Sequence, residues 1–309
     1  MSDDNEPAPR SALIIGCGFL GRPLARRLRD RSRTVWATTR SADRARELAE
    51  CDLRPLIIDI HSPLTLANLR PALEAGPLDV WYLVPPGRPG QDPGPRKTVH
   101  EALPRVVEHL GDGDIHRAVM ASSTGVYGDT DGESVNADTR PDPDGDRAQL
   151  LLDAEAHWLK LGDHARVVRL AGLYGPNRII GLRAVMEGAP LVGDPDALLN
   201  LLHVDDAADL LHTIVDRPAN AVELASDGAP APRRDYYRAL ANRLNQPAPE
   251  EVDDPQRLRE LGIDPRRMRR RRSKRCDPGP TMSRTGWEPT LVWNQGGLEQ
   301  ALAQSGPRS

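Results

Sequence analysis

Lysine is scarce in this chain of 309 residues, although basic residues are not. Only three of the 41 basic residues are lysines, and all the others are arginines. Phenylalanine occurs once, so leucine, valine, isoleucine and alanine must fill most of the core. A mechanism that requires an ammonium group therefore has only Lys97, Lys160 and Lys274 to use.

Cysteine is equally sparse, and long apolar runs are absent. Cys17, Cys51 and Cys276 form no CxxC motif and no Cys/His cluster, so we expect neither a disulfide framework nor a metal site. No run reaches the roughly 18 apolar residues of a membrane span. The first nine residues are acidic and contain proline, unlike a secretory signal. A net charge of −4 is too small to predict a charged partner. We therefore expect a cytoplasmic protein without membrane contact.

Short apolar segments alternate with helical patterns over the first half of the chain. The predicted strands are residues 12–15, 34–38, 56–60, 80–84, 118–122 and 166–170. The predicted helices are residues 20–29, 42–50, 98–110, 147–161, 205–215 and 234–245. Strands that are apolar throughout are typical of a parallel sheet covered on both faces. The alternation predicts an α/β fold, a Rossmann-like doubly wound sheet.

The domain organisation follows from where this alternation weakens. We expect a flexible N-terminus over residues 1–10, a dinucleotide-binding domain over residues 11–172, and a smaller C-terminal substrate region over residues 173–309, interleaved with the first. Two loops rich in turn-forming residues, 85–97 and 127–146, follow the fourth and fifth strands. Loops at the carboxyl ends of parallel strands are where such sheets bind ligands.

A glycine-rich turn joins the first strand to the first helix. Its GxGxxG pattern comprises Gly16, Gly18, Phe19, Leu20 and Gly21, with Cys17 between the first two glycines. The three glycines allow a tight turn, a close approach to a pyrophosphate, and close packing of helix on strand. The helix N-terminus then favours the anion. In this strand–turn–helix context the pattern predicts a dinucleotide site.

The end of the second strand indicates which dinucleotide binds. Thr39 and Arg40 stand where an NAD site places an acidic residue for the ribose, and a guanidinium there favours the 2′-phosphate of NADP. Arg40 is alternatively an ordinary surface arginine, with Asp43 as the missing acid and NAD as the cofactor. Asp59 either contacts adenine or caps a turn, and Val84 with Pro85 completes the predicted cofactor contacts.

Four further segments carry a resemblance to a known family. They are residues 121–129 (ASSTGVYGD), 169–178 (RLAGLYGPNR), 202–208 (LHVDDAA), and the C-terminal pair 273–275 (SKR) and 286–289 (GWEP). With the glycine turn, their order and spacing resemble the extended short-chain dehydrogenase/reductase family, which contains nucleotide-sugar epimerases and dehydratases. The resemblance implies a Rossmann fold, a nicotinamide cofactor and a small-molecule substrate.

The chain departs from this family at the acid/base position. The family carries a Tyr and a Lys four residues apart at the start of the helix after the fifth strand. Aligning Glu155 with the family's glutamate places Arg147 and Leu151 at these positions, and no lysine occurs between Lys97 and Lys160. Ser123 matches the family's active-site serine. The chain therefore resembles an atypical branch that lacks the Tyr/Lys pair.

Other candidate residues have two interpretations each. Tyr174 is a candidate proton donor or a packing residue, and Tyr127 is expected to be structural. Arg178 is a candidate ligand for a substrate phosphate. His203 before Asp205 is expected to pack at a helix start rather than bind a metal.

An arginine-rich run also has two interpretations. Residues 266–275 contain eight basic residues in ten but no aromatic residue, which favours a solvated strand and loop over a nucleic-acid contact.

Two functions remain open from the sequence. The first is an NADP-dependent oxidoreductase or epimerase-like enzyme in which Ser123, with Tyr174 or a water molecule, replaces the lost acid. The second is a non-catalytic NADP(H)-binding protein that acts as a sensor or regulator. By resemblance to the family, the helices predicted over 98–110 and 147–161 pair in a homodimer.

Overall fold

The computed structural model describes residues 10–30, 34–265 and 273–306. Most of the arginine-rich run, residues 266–272, lies outside the described residues, as do residues 1–9 of the expected flexible N-terminus. The chain divides into two compact units. The first comprises Met1–Ser122, Gln149–Val168 and Ala208–Glu223, and the second comprises Ser123–Ala148, Arg169–Ala207 and Leu224–Ser309. The units alternate along the sequence, and a single border near residue 172 stays a prediction.

The strands are short, and most of those after residue 170 were not anticipated. In chain order they are β1 (Ser11–Ile15), β2 (Val35–Thr39), β3 (Arg54–Ile57), β4 (Leu78–Tyr82), β5 (Ile115–Ser123), β6 (Ser134–Val135), β7 (Ala165–Leu170), β8 (Gly172–Tyr174), β9 (Leu191–Val192), β10 (Leu198–Leu199), β11 (Leu201–His203), β12 (Val222–Ala225), β13 (Ala231–Pro232), β14 (Glu251–Val252) and β15 (Arg275–Cys276).

Each of the six predicted helices has a counterpart in the structure, and the other helices were not anticipated. They are α1 (Gly21–Asp30), α2 (Ala42–Glu50), α3 (Pro63–Leu66), α4 (Arg70–Leu73), α5 (Pro95–Lys97), α6 (Leu103–Gly111), α7 (Asp146–Trp158), α8 (Leu182–Met186), α9 (Val204–Thr213), α10 (Arg233–Arg243), α11 (Pro255–Glu260), α12 (Gly279–Thr285) and α13 (Leu298–Ala303). Shorter 3₁₀ turns span Ala67–Leu69, Thr124–Tyr127 and Leu159–Leu161, and wider π turns span Thr98–Ala102 and Trp293–Gly297. None of the helices in the described part of the chain is long and apolar enough to cross a membrane.

A seven-stranded sheet organises the fold, in the order β12-β7-β5-β4-β1-β2-β3. β1 pairs in parallel with both β2 and β4, and the chain leaves β1 toward β2 and β3 before it returns to β4 on the other side. This reversal between β1 and β4 is the switch point at which doubly wound sheets bind ligands. The predicted Rossmann-like α/β fold is confirmed.

Two strands begin two residues earlier in the structure than the sequence predicted. The third was expected over residues 56–60 but is Arg54–Ile57, and the fourth was expected over 80–84 but is Leu78–Tyr82. Pro55 lies within β3, and although proline cannot donate to the ladder, β3 is the edge strand of the sheet and tolerates it. Asp59 lies beyond β3, in the turn that follows it.

The predicted helix over residues 98–110 contains an irregularity. Its first turn, Thr98–Ala102, is a π turn, and α6 begins at Leu103. Pro104 lacks the N–H that an α-helical turn would use at this point, which explains the wider turn. The three residues directly before this π turn, Pro95–Lys97, form α5, so the predicted loop 85–97 ends in a helical turn.

The core of the first unit lies between the sheet and the helices α6 and α7. Trp158 at the end of α7 is fully buried, and its indole N–H donates to the Ala118 carbonyl at 3.2 Å. Its ring packs 5.5 Å from the ring of Tyr82. The apolar side chains of α7 that suggested a second copy are largely covered within one chain, since Leu150, Leu151, Ala154 and Trp158 are all buried.

The second unit has its own smaller core and a C-terminal segment held by two buried carboxylates. Its short strands pair as β8 with β11, β6 with β15, β9 with β14 and β10 with β13. Asp206 accepts from the Thr290 hydroxyl and the Leu291 N–H, each at 2.8 Å. Asp227 accepts from the Trp293 N–H at 3.2 Å, and burial raises the pKa of Asp227 to about 6. These bonds fix residues 290–293 from strands and helices far away in sequence.

Candidate functional site

The three glycines of the turn after β1 have different surroundings. A Cβ atom on Gly16, which has a φ of +95°, would lie 2.9 Å from Cγ2 of Val84, and one on Gly21 would lie 3.0 Å from the Gly16 carbonyl oxygen. At Gly18, in contrast, a Cβ would meet no atom of the described residues within 4 Å. Gly16 and Gly21 are therefore required by the packing of the protein itself, whereas Gly18 borders open space.

The turn is tied to the neighbouring strand and leads directly into α1. The Gly16 N–H donates to Oγ1 of Thr38 on β2 at 3.0 Å, and the Gly18 N–H donates to the Gly16 carbonyl at 2.8 Å. Phe19 is half-buried, and Leu20 is buried. No acidic residue occupies the first turn of α1, so the helix dipole at this end is not compensated by a local carboxylate. Such a turn can hold the pyrophosphate of a dinucleotide against the helix N-terminus.

Thr39 and Arg40 lie where β2 ends. Thr39 is half-buried, and its Oγ1 accepts from the Ser41 N–H at 3.4 Å. The Arg40 side chain is exposed and makes no hydrogen bond or ion pair within the described residues. Asp43, the alternative acid, lies in the first turn of α2 and pairs with Arg46 at 3.0 Å on the outer face.

The remaining predicted cofactor residues lie at the ends of β3 and β4. Asp59 is half-buried, and its Oδ1 accepts from the His61 N–H at 3.1 Å, which is the turn-capping role left open by the sequence. Val84 packs on the glycine turn through Gly16, and Pro85 is exposed. The structure thus brings Val84 to the turn, whereas Asp59 is engaged locally.

A buried hydrogen bond fixes α7 against the strand before it. The Ser122 hydroxyl donates to Oε1 of Glu155 at 2.6 Å, and both residues are buried. Leu151 lies one helical turn before Glu155 and is buried, and Arg147 at the start of α7 is exposed. None of the five tyrosines is followed by a lysine four residues later. Guanidinium groups and leucine side chains do not act as general acids, so neither Arg147 nor Leu151 offers that chemistry.

Ser123, in the second unit, ends β5 and begins the 3₁₀ turn Thr124–Tyr127. Its Oγ accepts from the Gly125 N–H at 3.1 Å, and its side chain is half-buried. The hydroxyl proton has no acceptor within the described residues, so it remains available to a ligand. Close by in sequence, the Tyr127 hydroxyl accepts from buried Arg169 at 2.9 Å and donates to the Asn136 carbonyl at 2.7 Å, as expected of a structural residue.

Tyr174 is enclosed in the core of the second unit. It is fully buried, its hydroxyl donates to the Leu291 carbonyl at 2.8 Å, and its ring meets the ring of buried His203 edge-on at 5.1 Å. Burial, with smaller contributions from Asp227 and Asp206, raises the pKa of Tyr174 above its usual range. These surroundings support the packing role rather than that of a proton donor.

Two further predicted residues have clear environments. Nδ1 of His203 accepts from the Asp205 N–H at 3.2 Å, and no group of three His, Cys, Asp or Glu side chains in the described ranges has metal-binding geometry. Arg178 is exposed in the turn after β8. Lys274, at the end of the arginine-rich run, is not solvated as expected: it is buried and donates from Nζ to the Gly128 carbonyl at 2.8 Å.

The sequence comparisons agree with this geometry. The family model of the NAD dependent epimerase/dehydratase family matches residues 12–225, which include the glycine turn, Ser123 and the start of α7. The chain belongs to this family. Protein YeeZ of Escherichia coli is 27% identical over 259 residues, 78% of this chain and 86% of that protein.

Solved structures of other proteins share this fold. MoeE5 in complex with UDP-glucose and NAD superposes with a TM-score of 0.75 at 24% identity, over 95% of this chain and 98% of that one. UDP-glucuronic acid 4-epimerase from Bacillus cereus, in complex with UDP-glucuronic acid and NAD, also has a TM-score of 0.75, at 16% identity and with coverage of 95% and 98%. At these identities the likeness shows the fold alone.

The sequence did not single out three charged residues beside the glycine turn. Arg22 on α1 and Arg44 on α2 both form ion pairs with Glu47, at 2.9 and 3.5 Å. The only signals in the sequence were the positions of the two arginines. Arg22 directly follows the third glycine, and Arg44 lies in the first turn of α2.

Proposed function

We propose that the glycine turn binds NADP(H), with the pyrophosphate beside Gly18 and the 2′-phosphate of the adenosine ribose on Arg40. The open space at Gly18 carries this proposal, because the folded chain itself gives no other reason for a glycine there. The exposed guanidinium of Arg40, which lacks a partner in the described part of the chain, suits a phosphate dianion. Val84 and Pro85 line the same end of the sheet. In the turn after β2, Oγ1 of Thr39 accepts a hydrogen bond from the Ser41 N–H.

We further propose that the protein is an oxidoreductase or an epimerase-like enzyme that acts on a substrate similar to a nucleotide sugar. The solved relatives support this substrate class, since MoeE5 and the Bacillus cereus epimerase were captured with UDP-sugars. The bound nicotinamide would supply hydride transfer, and the protein would supply position and a proton. Ser123 offers its hydroxyl for the substrate, and exposed Arg178 is the candidate for a substrate phosphate.

The proton in this reaction must come from Ser123 or from a water molecule. A guanidinium group is not a general acid, Leu151 has no proton to give, and the Tyr174 hydroxyl is bound to a carbonyl in the core. A positioned acid contributes about 10²–10⁴-fold to a rate. We therefore place the chain in an atypical branch of its family, with turnover well below that of members with the Tyr/Lys pair.

The burial of Leu151 also favours a second function. Because buried Leu151 fills the position of the lysine, a non-catalytic protein whose NADP(H) state is sensed by a partner also fits the structure. Binding would then be tight, and turnover would be absent.

One set of assays separates these two functions. Purified protein is incubated with NADPH and a panel of carbonyl compounds, and separately with NADP⁺ and UDP- and dTDP-sugars, and the products are resolved by chromatography so that epimerisation without net oxidation is seen. Turnover that is lost in Ser123→Ala supports the enzyme. Tight NADPH binding without any product supports the sensor, and absence of binding refutes both.

Homodimer formation and a cytoplasmic location complete the proposal. The pairing of α6 and α7 across a two-fold axis rests on the family resemblance, since the apolar side chains of α7 are already largely covered within one chain. Sedimentation at micromolar concentration tests the dimer: a stable monomer contradicts it.

A further inference from the structure

Glu47 pairs with two arginines from the helices that follow β1 and β2. Its carboxylate accepts from Nη2 of Arg22 at 2.9 Å, which bridges α2 to α1, and lies 3.5 Å from Nη1 of Arg44 on its own helix. About half of each side chain in the Arg22–Glu47 pair is exposed. The three residues form a charged cluster with one net positive charge, which we call the Glu47 cluster.

The position of the Glu47 cluster relates it to the glycine turn. Burial raises the pKa of the Cys17 thiol to about 11, and the positive charges of Arg22 and Arg44 act in the opposite direction, so both guanidinium groups lie within electrostatic reach of Cys17. Arg22 follows the third glycine directly. The Arg44 N–H donates to Oγ of Ser41, the residue that follows Arg40. Arg22, Arg40 and Arg44 therefore all belong to segments that directly follow β1 or β2.

We infer that Arg22 and Arg44 are additional ligands of the 2′-phosphate, and that Glu47 is an internal counter-ion which occupies them until the phosphate replaces it. This inference rests on the proposed NADP(H) site. Glu47 then weakens NADPH binding and leaves NADH binding unchanged, because only NADPH carries the 2′-phosphate that competes with Glu47 for the two arginines.

The physical argument is an exchange of ion-pair partners. A phosphate dianion forms stronger, bidentate contacts with guanidinium groups than a single exposed carboxylate does. An exposed ion pair stabilises by only about 0–1 kcal/mol, so Arg22 and Arg44 can be released from Glu47 at little cost. The Glu47 carboxylate then stays close to the phosphate and repels it.

The test compares two isosteric charge removals on the same helix. Glu47→Gln removes the counter-ion, and Glu50→Gln is its control, because Glu50 is exposed on α2 one turn away and forms no ion pair in the described residues. Dissociation constants are measured calorimetrically for NADPH, NADH, 2′,5′-ADP and 5′-ADP with the full chain at low and high salt. We expect Glu47→Gln to bind NADPH and 2′,5′-ADP about two- to fivefold more tightly, as the strength of an exposed pair allows. We expect no change for NADH and 5′-ADP, and none for Glu50→Gln.

Unchanged or weaker NADPH binding in Glu47→Gln overturns the inference, and so does an equal gain in Glu50→Gln, which would indicate a general effect of net charge. The proposed cofactor preference fails separately, if the wild-type protein binds NADH as tightly as NADPH and Arg40→Ala has no effect. A gain confined to the 2′-phosphate ligands in Glu47→Gln supports the inference even then.

Discussion

The glycine turn after β1 and the start of α7 contrast in what fills them. At the turn, Gly18 borders open space that the packing of the chain does not require. In α7, Leu151, which the proposed alignment places at the family's lysine, is buried. The glycine turn has room for a ligand, whereas Leu151 is enclosed by packing. We propose from this difference that the chain binds a cofactor without the family's usual acid/base pair.

The largest expected effect comes from filling the open space. Gly18→Asp should weaken NADPH binding by at least about 100-fold, because contact between like charges costs several kcal/mol. Gly111→Asp is the matched control, since Gly111 also has no atom within 4 Å of its would-be Cβ but ends α6. Fluorescence titration with NADPH measures both. Unchanged affinity in Gly18→Asp would mean that the turn does not hold the pyrophosphate.

The proposed contact of Arg40 with the 2′-phosphate is the next test within the same region. Arg40→Ala should weaken NADPH binding by about 1.5–3 kcal/mol, the range for a hydrogen bond to a charged group. NADH binding should change little, and added salt should weaken NADPH more than NADH. Equal losses for both cofactors, or none, would identify Arg40 as an ordinary surface arginine. Arg46→Ala, on the outer face of α2, is the control.

Introducing the family's Tyr/Lys pair at the proposed positions tests the other region. Arg147→Tyr with Leu151→Lys should raise NADPH-dependent turnover of a carbonyl substrate by about tenfold or more, since a positioned acid contributes 10²–10⁴-fold. The control, Arg147→Phe with Leu151→Lys, lacks the phenol and should show no gain. Thermal unfolding of both variants reports what the buried lysine costs. Brisk turnover by the wild-type protein that survives Ser123→Ala would contradict the alignment and the role of Ser123.

The smallest effect concerns the thiol inside the glycine turn. Burial raises the pKa of Cys17 to about 11, so its thiolate is scarce near neutral pH and grows only toward pH 11. Alkylation by iodoacetamide, followed by mass spectrometry, should label exposed Cys51 first at pH 8. Rapid labelling of Cys17 at that pH would show that the turn is more open than its buried cysteine indicates.

Features that depend on local patterns were predictable. The alternation of apolar runs with helical periods predicted the doubly wound sheet, because burial on both faces demands that pattern. The GxGxxG turn was recognised because its glycines serve local backbone geometry. The bounds of α2 agree with the prediction, and Ser41, Asp43 and the apolar positions of this helix are all local signals. The absence of lysine between Lys97 and Lys160 is likewise a property of the sequence itself.

Contacts between distant residues were decided only by the tertiary structure. The bond from Tyr174 to the Leu291 carbonyl crosses 117 positions, and no local pattern distinguishes a packed tyrosine from a proton donor. The start of β3 before Pro55 depends on the sheet order, because an edge strand tolerates proline. Glu47 bridges α2 to Arg22 on α1, a pairing that depends on how two helices flank β2. Sequence determines what each segment can form, whereas the partner of a buried or charged side chain depends on which segments the fold brings together.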